Sequence, residues 1–99
     1  MILTTVNGQA SQQIDVSNRG FLYGDGLFET CKVSQQTIEH WKVHQARMID
    51  GLLRLQFNNI TDICIRLDQY LRQAFKHQNK NSQYGLKIII TRNSIMRGY

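Results

Sequence analysis

Asn18-Arg19-Gly20-Phe21-Leu22-Tyr23-Gly24-Asp25-Gly26-Leu27-Phe28-Glu29-Thr30 packs three glycines, two carboxylates, an arginine and three aromatic rings into thirteen positions. Glycine opens backbone shapes closed to other residues. Residues 15–26 are therefore expected to form a structured loop rather than a regular element. The loop feeds an alternating segment, Leu27 to Val33, that carries Phe28, Thr30 and Val33 and reads as a strand. After the polar Ser34-Gln35-Gln36 turn, Thr37 to Trp41 resumes as its hairpin partner.

Upstream of the loop, Ile2 to Val6 runs into Asn7-Gly8, the pair that favours a type I′ turn, and Gln9 to Ile14 is the expected return strand. Downstream, Val43, Ala46, Ile49, Leu52 and Leu53 recur at spacings of three and four, predicting a helix over 42–55. Gly51 interrupts that helix at a cost of about 1 kcal/mol relative to alanine. Ile60, Ile63, Cys64, Leu67, Leu71, Ala74 and Phe75 form a cleaner helical stripe, with Asn59 or Thr61 as N-cap. The last strand is Tyr84 to Thr91, whose run Ile88-Ile89-Ile90 does not alternate and so calls for cover on both faces. The expected fold class is α+β: two hairpins and a closing strand make a mostly antiparallel sheet, packed by two helices.

With 99 residues, 41% of them hydrophobic and 19% charged, the chain has the material for one modest core and lies far from the composition of disorder. Its formal charge of +5 favours an anionic ligand or surface. A small basic module for nucleic acid is the reading that charge alone would suggest. The seven arginines are spread along the chain without a basic run or an aromatic ladder, and a phosphorylated or carboxylated small molecule fits equally well. Cys31 and Cys64 are too few and too far apart for a disulfide scaffold or a zinc site and are expected to be reduced core thiols. No apolar run approaches membrane-spanning length and the start lacks a signal-peptide pattern, so the expected compartment is the cytoplasm.

Three elements carry a resemblance. Residues 18–30 are similar to the D-R-G-x-x-Y/F-G-D-G-x-F-E-T segment of class IV pyridoxal-phosphate enzymes, with Asn18 where aspartate is usual. His44-Gln45-Ala46-Arg47-Met48 resembles the H-x-x-R-L that follows in that family, with Met48 in place of leucine. Thr91 to Tyr99 resembles the strand exit R-G-x-G-x-R-G-Y of its aminodeoxychorismate lyases, keeping Arg92, Arg97, Gly98 and Tyr99 but carrying Asn93 and Ile95 where glycines are usual.

The resemblance implies a pyridoxal 5′-phosphate cofactor whose phosphate is gripped by Arg47, through the planar fork that guanidinium offers a dianion. It also implies that Phe28, Thr30, Arg92 and Arg97 bind substrate and that the functional unit is a homodimer. From their local setting, His44 at the helix start is read as structural, and Asp25 and Glu29 as carboxylates that hold the turn through hydrogen bonds to backbone amides. Residues 1–99 then correspond to the amino-terminal small domain. The Schiff-base lysine is expected in a larger second domain, and none of Lys32, Lys42, Lys76, Lys80 and Lys87 takes that role. The implied activity is elimination of pyruvate to leave 4-aminobenzoate. A branched-chain or D-amino-acid aminotransferase of the same fold is the alternative.

Overall fold

The computed structural model describes residues 3–92. The elements in chain order are β1 (Thr5–Val6), β2 (Gln9–Ala10), α1 (Arg19–Tyr23), β3 (Gly26–Ser34), β4 (Thr37–Ile38), α2 (Trp41–Arg54), α3 (Ile60–Phe75) and β5 (Gln83–Thr91). Every strand pairing among the described residues is antiparallel, and the mixed α and β content matches the expected class. The strands divide into two sheets, however: β1 and β2 pair only with each other, and the main sheet has the order β4-β3-β5. The first hairpin turns at Asn7 and Gly8, both at positive φ, as the sequence predicts, but its strands are two residues long.

The main sheet is built on one long ladder. β3 and β5 pair over nine positions, from Gly26 opposite Thr91 to Ser34 opposite Gln83. Because strand side chains alternate, this register sorts the residues into two faces. Leu27, Glu29, Cys31 and Val33 of β3 lie beside Ile90, Ile88, Leu86 and Tyr84 of β5 on the face that the helices cover. Phe28, Thr30 and Lys32 share the other face with Ile89, Lys87 and Gly85. That face is open: Phe28 and Ile89 are 62% and 63% exposed. The isoleucine run therefore has its cover on one side only among the described residues, with Ile88 buried and Ile89 bare.

The core is formed by Cys31, Met48, Leu71 and Ile88, with Trp41, Leu67, Phe75 and Leu86 packed around it. Val33 and Leu52 are the most fully enclosed side chains. The inward stripe of α2 matches the expected one only at Leu52, which is buried, and Ile49, which is half-buried. Met48 and Leu52 are buried, with Trp41 half-buried, while Val43, Ala46 and Leu53 are exposed. On a helix of 3.6 residues per turn, positions 41, 48 and 52 share a face that 43, 46 and 53 do not. Gly51 has a packing reason: a Cβ there would lie 2.7 Å from Leu27 Cδ2, so glycine lets α2 settle onto β3. The stripe of α3 follows the expected positions, with Leu71 buried and Ile63, Cys64, Leu67, Ala74 and Phe75 half-buried.

Two further differences have local causes. The segment expected to be a loop contains α1, a turn and a half of helix started by Asn18, whose side-chain oxygen accepts from Phe21 N at 3.1 Å, and ended by a left-handed Gly24. Trp41 opens α2 rather than closing β4, because His40 turns the chain in a left-handed conformation just before it. Both cysteines are free thiols, as expected, and burial raises the Cys31 thiol pKa. No helix among the described residues is long and apolar enough to cross a membrane.

Tyr84 packs edge-on to Phe75, with ring centroids 6.5 Å apart, and its buried hydroxyl has no hydrogen-bond partner among the described residues. A buried, unsatisfied hydroxyl is a standing cost. Tyr84→Phe is expected to raise stability by about 1 kcal/mol, read as a higher midpoint in thermal unfolding; a lower midpoint would show that the hydroxyl is satisfied.

Candidate functional site

The glycine-bearing segment is held by two carboxylates, each serving two cationic or polar partners. Asp25, 15% exposed, accepts from Arg19 Nε at 2.8 Å and from Arg92 Nε at 3.1 Å. The backbone repeats the connection, since Arg92 N donates to Asp25 O at 3.1 Å. Asp25 thus ties α1 to the exit of β5 through guanidinium groups rather than through backbone amides. Asn18 adds a second tie, donating from Nδ2 to Thr91 Oγ1 at 3.1 Å while its oxygen caps α1, a pair of roles that needs both the donor and the acceptor of an amide. Gly26 belongs to the same junction, because a Cβ on it would approach Ile90 O to 2.3 Å.

Glu29 organises the other cluster. It lies on the helix-covered face of β3, where the first half of α2 crosses. Arg47 donates to it from two nitrogens, Nε to Oε1 at 3.1 Å and Nη2 to Oε2 at 3.0 Å, and His44 Nδ1 lies 2.5 Å from Oε2. Arg47 first and His44 second hold the Glu29 carboxyl below its ordinary pKa. Glu29 is therefore ionised at neutral pH and can only accept, so the His44 Nδ1 facing it carries a proton. The 3.3 Å approach of Arg47 Nη2 to His44 Nδ1 is then a contact between two donors, each satisfied by the same carboxylate. His44 and Arg47 meet on one flank of α2 because residues three apart are neighbours on a helix.

The expected site residues occupy three places. Arg47 is on the α2 flank, its side chain 62% exposed. Phe28 and Thr30, the immediate neighbours of Glu29 in β3, are exposed on the opposite, open face of the sheet. Arg92 lies at the end of β5, where Nε serves Asp25, Nη2 donates to Leu55 O at 2.6 Å and the guanidinium covers the Phe57 ring at 4.2 Å. These partners make Arg92 a latch between β5, the glycine-bearing segment and the end of α2. Arg97 is outside the described residues. Strand alternation thus separates Arg47 from Phe28 and Thr30 by the thickness of one strand.

The open face also holds a residue that sequence reasoning passed over. Lys87 is opposite Thr30, and its Nζ is 4.6 Å from the centroid of the Phe28 ring. Nothing in the local sequence marks it; its position follows from the β3–β5 register. A cavity of about 20 Å³ between α2 and α3, lined by Trp41, Met48, Leu52, Leu67 and Ile90 among others, is the size of a single water. The larger depression, along Gln45, Cys64, Asp68 and Arg72, is a shallow groove on the helix side. Neither includes Phe28, Thr30, Arg47 or Arg92. Among the described residues no group of three or more His, Cys, Asp or Glu is placed to hold a metal ion.

No family model matches the chain. It is 35% identical over 94 residues to the aminodeoxychorismate lyase of Vibrio harveyi, which covers 95% of this chain and 33% of that protein. Its fold superposes on the crystal structure of 4-amino-4-deoxychorismate lyase from Pseudomonas aeruginosa with a TM-score of 0.70 at 34% identity, over 93% of this chain and 32% of that one. The chain spans about a third of the length of these relatives.

The Glu29 cluster generates a pH prediction. A carboxylate whose folded pKa is depressed contributes stability that is present above its unfolded pKa and is lost as pH falls through the folded value. Thermal unfolding is expected to show stability falling as pH drops below the ordinary glutamate value of 4.5, with a shallower fall in Glu29→Gln. Identical acid limbs for the two proteins would contradict this assignment.

Proposed function

We propose that this chain is the amino-terminal small domain of a pyridoxal-phosphate-dependent 4-amino-4-deoxychorismate lyase, which releases pyruvate and leaves 4-aminobenzoate, a folate precursor. The reading is carried by identity of about a third to two such lyases over more than nine-tenths of the chain, with the fold retained. Because the chain spans a third of those proteins, the reactive lysine is assigned to a larger domain beyond residue 99; a homodimeric functional unit is the assembly that the family resemblance implies.

The donor chemistry of Arg47 fits the cofactor phosphate. Glu29 takes the edge of the guanidinium formed by Nε and Nη2, and Nη1 has no partner among the described residues. The end of the fork is available to a dianion, on a side chain open to solvent. When bound, pyridoxal phosphate supplies an electron sink for bond cleavage next to the substrate amine. The chain's own residues recognise and orient. Phe28 offers an apolar surface against which the substrate ring can lie, and Thr30 a hydroxyl that can donate or accept. Arg97 supplies a cation for a substrate carboxylate, and Arg92 holds the exit of β5 through Asp25 and Leu55. The exposure of Phe28 and Thr30 is consistent with a pocket whose other wall lies on another part of the protein.

The complete protein, supplied with aminodeoxychorismate, is expected to release pyruvate and 4-aminobenzoate in equal amounts, whereas residues 1–99 alone release neither. Transfer of the amino group from amino acid to keto acid, without pyruvate release, would instead establish an aminotransferase. Turnover by residues 1–99 would overturn the division of labour.

A further inference from the structure

We infer that Glu29 is a positioning residue for anion recognition: it fixes the plane and free end of the Arg47 guanidinium, with His44 buttressing the same carboxylate. The inference rests on the phosphate-binding role proposed for Arg47. A long arginine side chain with an exposed guanidinium samples many rotamers, and an anion that binds it must immobilise it. Here the immobilisation is built in. Two bonds from different nitrogens, at 3.1 and 3.0 Å, fix both the position of the fork and its rotation about its own axis, which one bond does not. Glu29 is itself held: it is fourth in the nine-pair ladder, opposite Ile88, and its side chain is 13% exposed. His44, one helical turn before Arg47 and equally enclosed, occupies the remaining side of Oε2. The anchoring edge is consumed, and the end of the fork that carries Nη1 is the part left for a ligand.

Charge and positioning pull in opposite directions, which makes the idea testable. A carboxylate beside Arg47 lowers the local positive potential, so its removal alone should strengthen attraction for an anion. Loss of the anchor should weaken binding, because the ligand must then order the side chain. Around an exposed guanidinium, water and salt screen the first effect, whereas the rotamer freedom of an arginine amounts to about a tenfold change in affinity. Positioning is expected to win.

The experiment measures affinities of the complete protein for pyridoxal phosphate and for pyridoxal, and thermal stabilisation by inorganic phosphate, with folding of each variant checked by circular dichroism. Glu29→Gln keeps the shape and removes the charged acceptor; it is expected to weaken pyridoxal phosphate about tenfold, to reduce stabilisation by inorganic phosphate, and to leave pyridoxal unchanged. Arg47→Ala should weaken the phosphate form at least as much, and adding Glu29→Gln to it should change nothing further. If Glu29→Gln binds pyridoxal phosphate as tightly as the parent or more tightly while Arg47→Ala is impaired, Arg47 keeps its role and the positioning by Glu29 is refuted. Equal weakening of pyridoxal and pyridoxal phosphate by Glu29→Gln, or an effect that persists without Arg47, refutes it too. If Arg47→Ala retains full affinity, the phosphate role of Arg47 itself fails.

Discussion

The ladder between β3 and β5 is the constraint on which the rest of the molecule depends. Its nine pairs join residues 26–34 to residues 83–91, so the two helices are carried in the connection between partners and must fold back over one face of the sheet. A slip of one residue in this register would turn the inward set of one strand out to solvent: either Cys31 and Val33, bringing Phe28 and Thr30 beneath the helices, or Ile88, bringing Lys87 there. The core and the candidate recognition face are thus the two sides of one pairing. Asp25 with Arg19 and Arg92 closes one end of that pairing, and Gln36 helps to close the other by donating to Phe75 O at 2.8 Å at the end of α3.

The functional groups are distributed in keeping with that frame. Glu29 belongs to the covered side, where α2 brings His44 and Arg47 to it, while its neighbours Phe28 and Thr30 belong to the open side. Both sets are within one strand of each other yet lie on opposite faces of the sheet. Identity to the lyases of Vibrio harveyi and Pseudomonas aeruginosa extends over nearly the whole chain but a third of theirs.

Much of this architecture was legible in the sequence wherever the determinant is local. Asn7-Gly8 fixes its turn because few other pairs accept two positive φ angles, and the stripe of α3 is legible because its apolar spacing is regular. The short helix α1 was not, since three glycines argue against a helix and the capping groups Asn18 and Gly24 act over a single turn. The inner face of α2 was legible at Ile49 and Leu52 but not beyond, because Val43, Ala46 and Leu53 are as apolar as the residues that are buried, and Gly51 reads as a defect until Leu27 is seen beneath it. Among the candidate site residues, Arg47 was marked by its motif. Its partner Glu29, the latch role of Arg92 and the place of Lys87 all depend on contacts between distant segments, which spacing does not encode.

The central claim, that residues 1–99 recognise cofactor and substrate while the reacting amine lies elsewhere, is tested most directly by reducing the complete, cofactor-loaded protein with borohydride and mapping the modified lysine by mass spectrometry. The label is expected on a lysine beyond residue 99. A label on Lys32, Lys42, Lys76, Lys80 or Lys87 would contradict it.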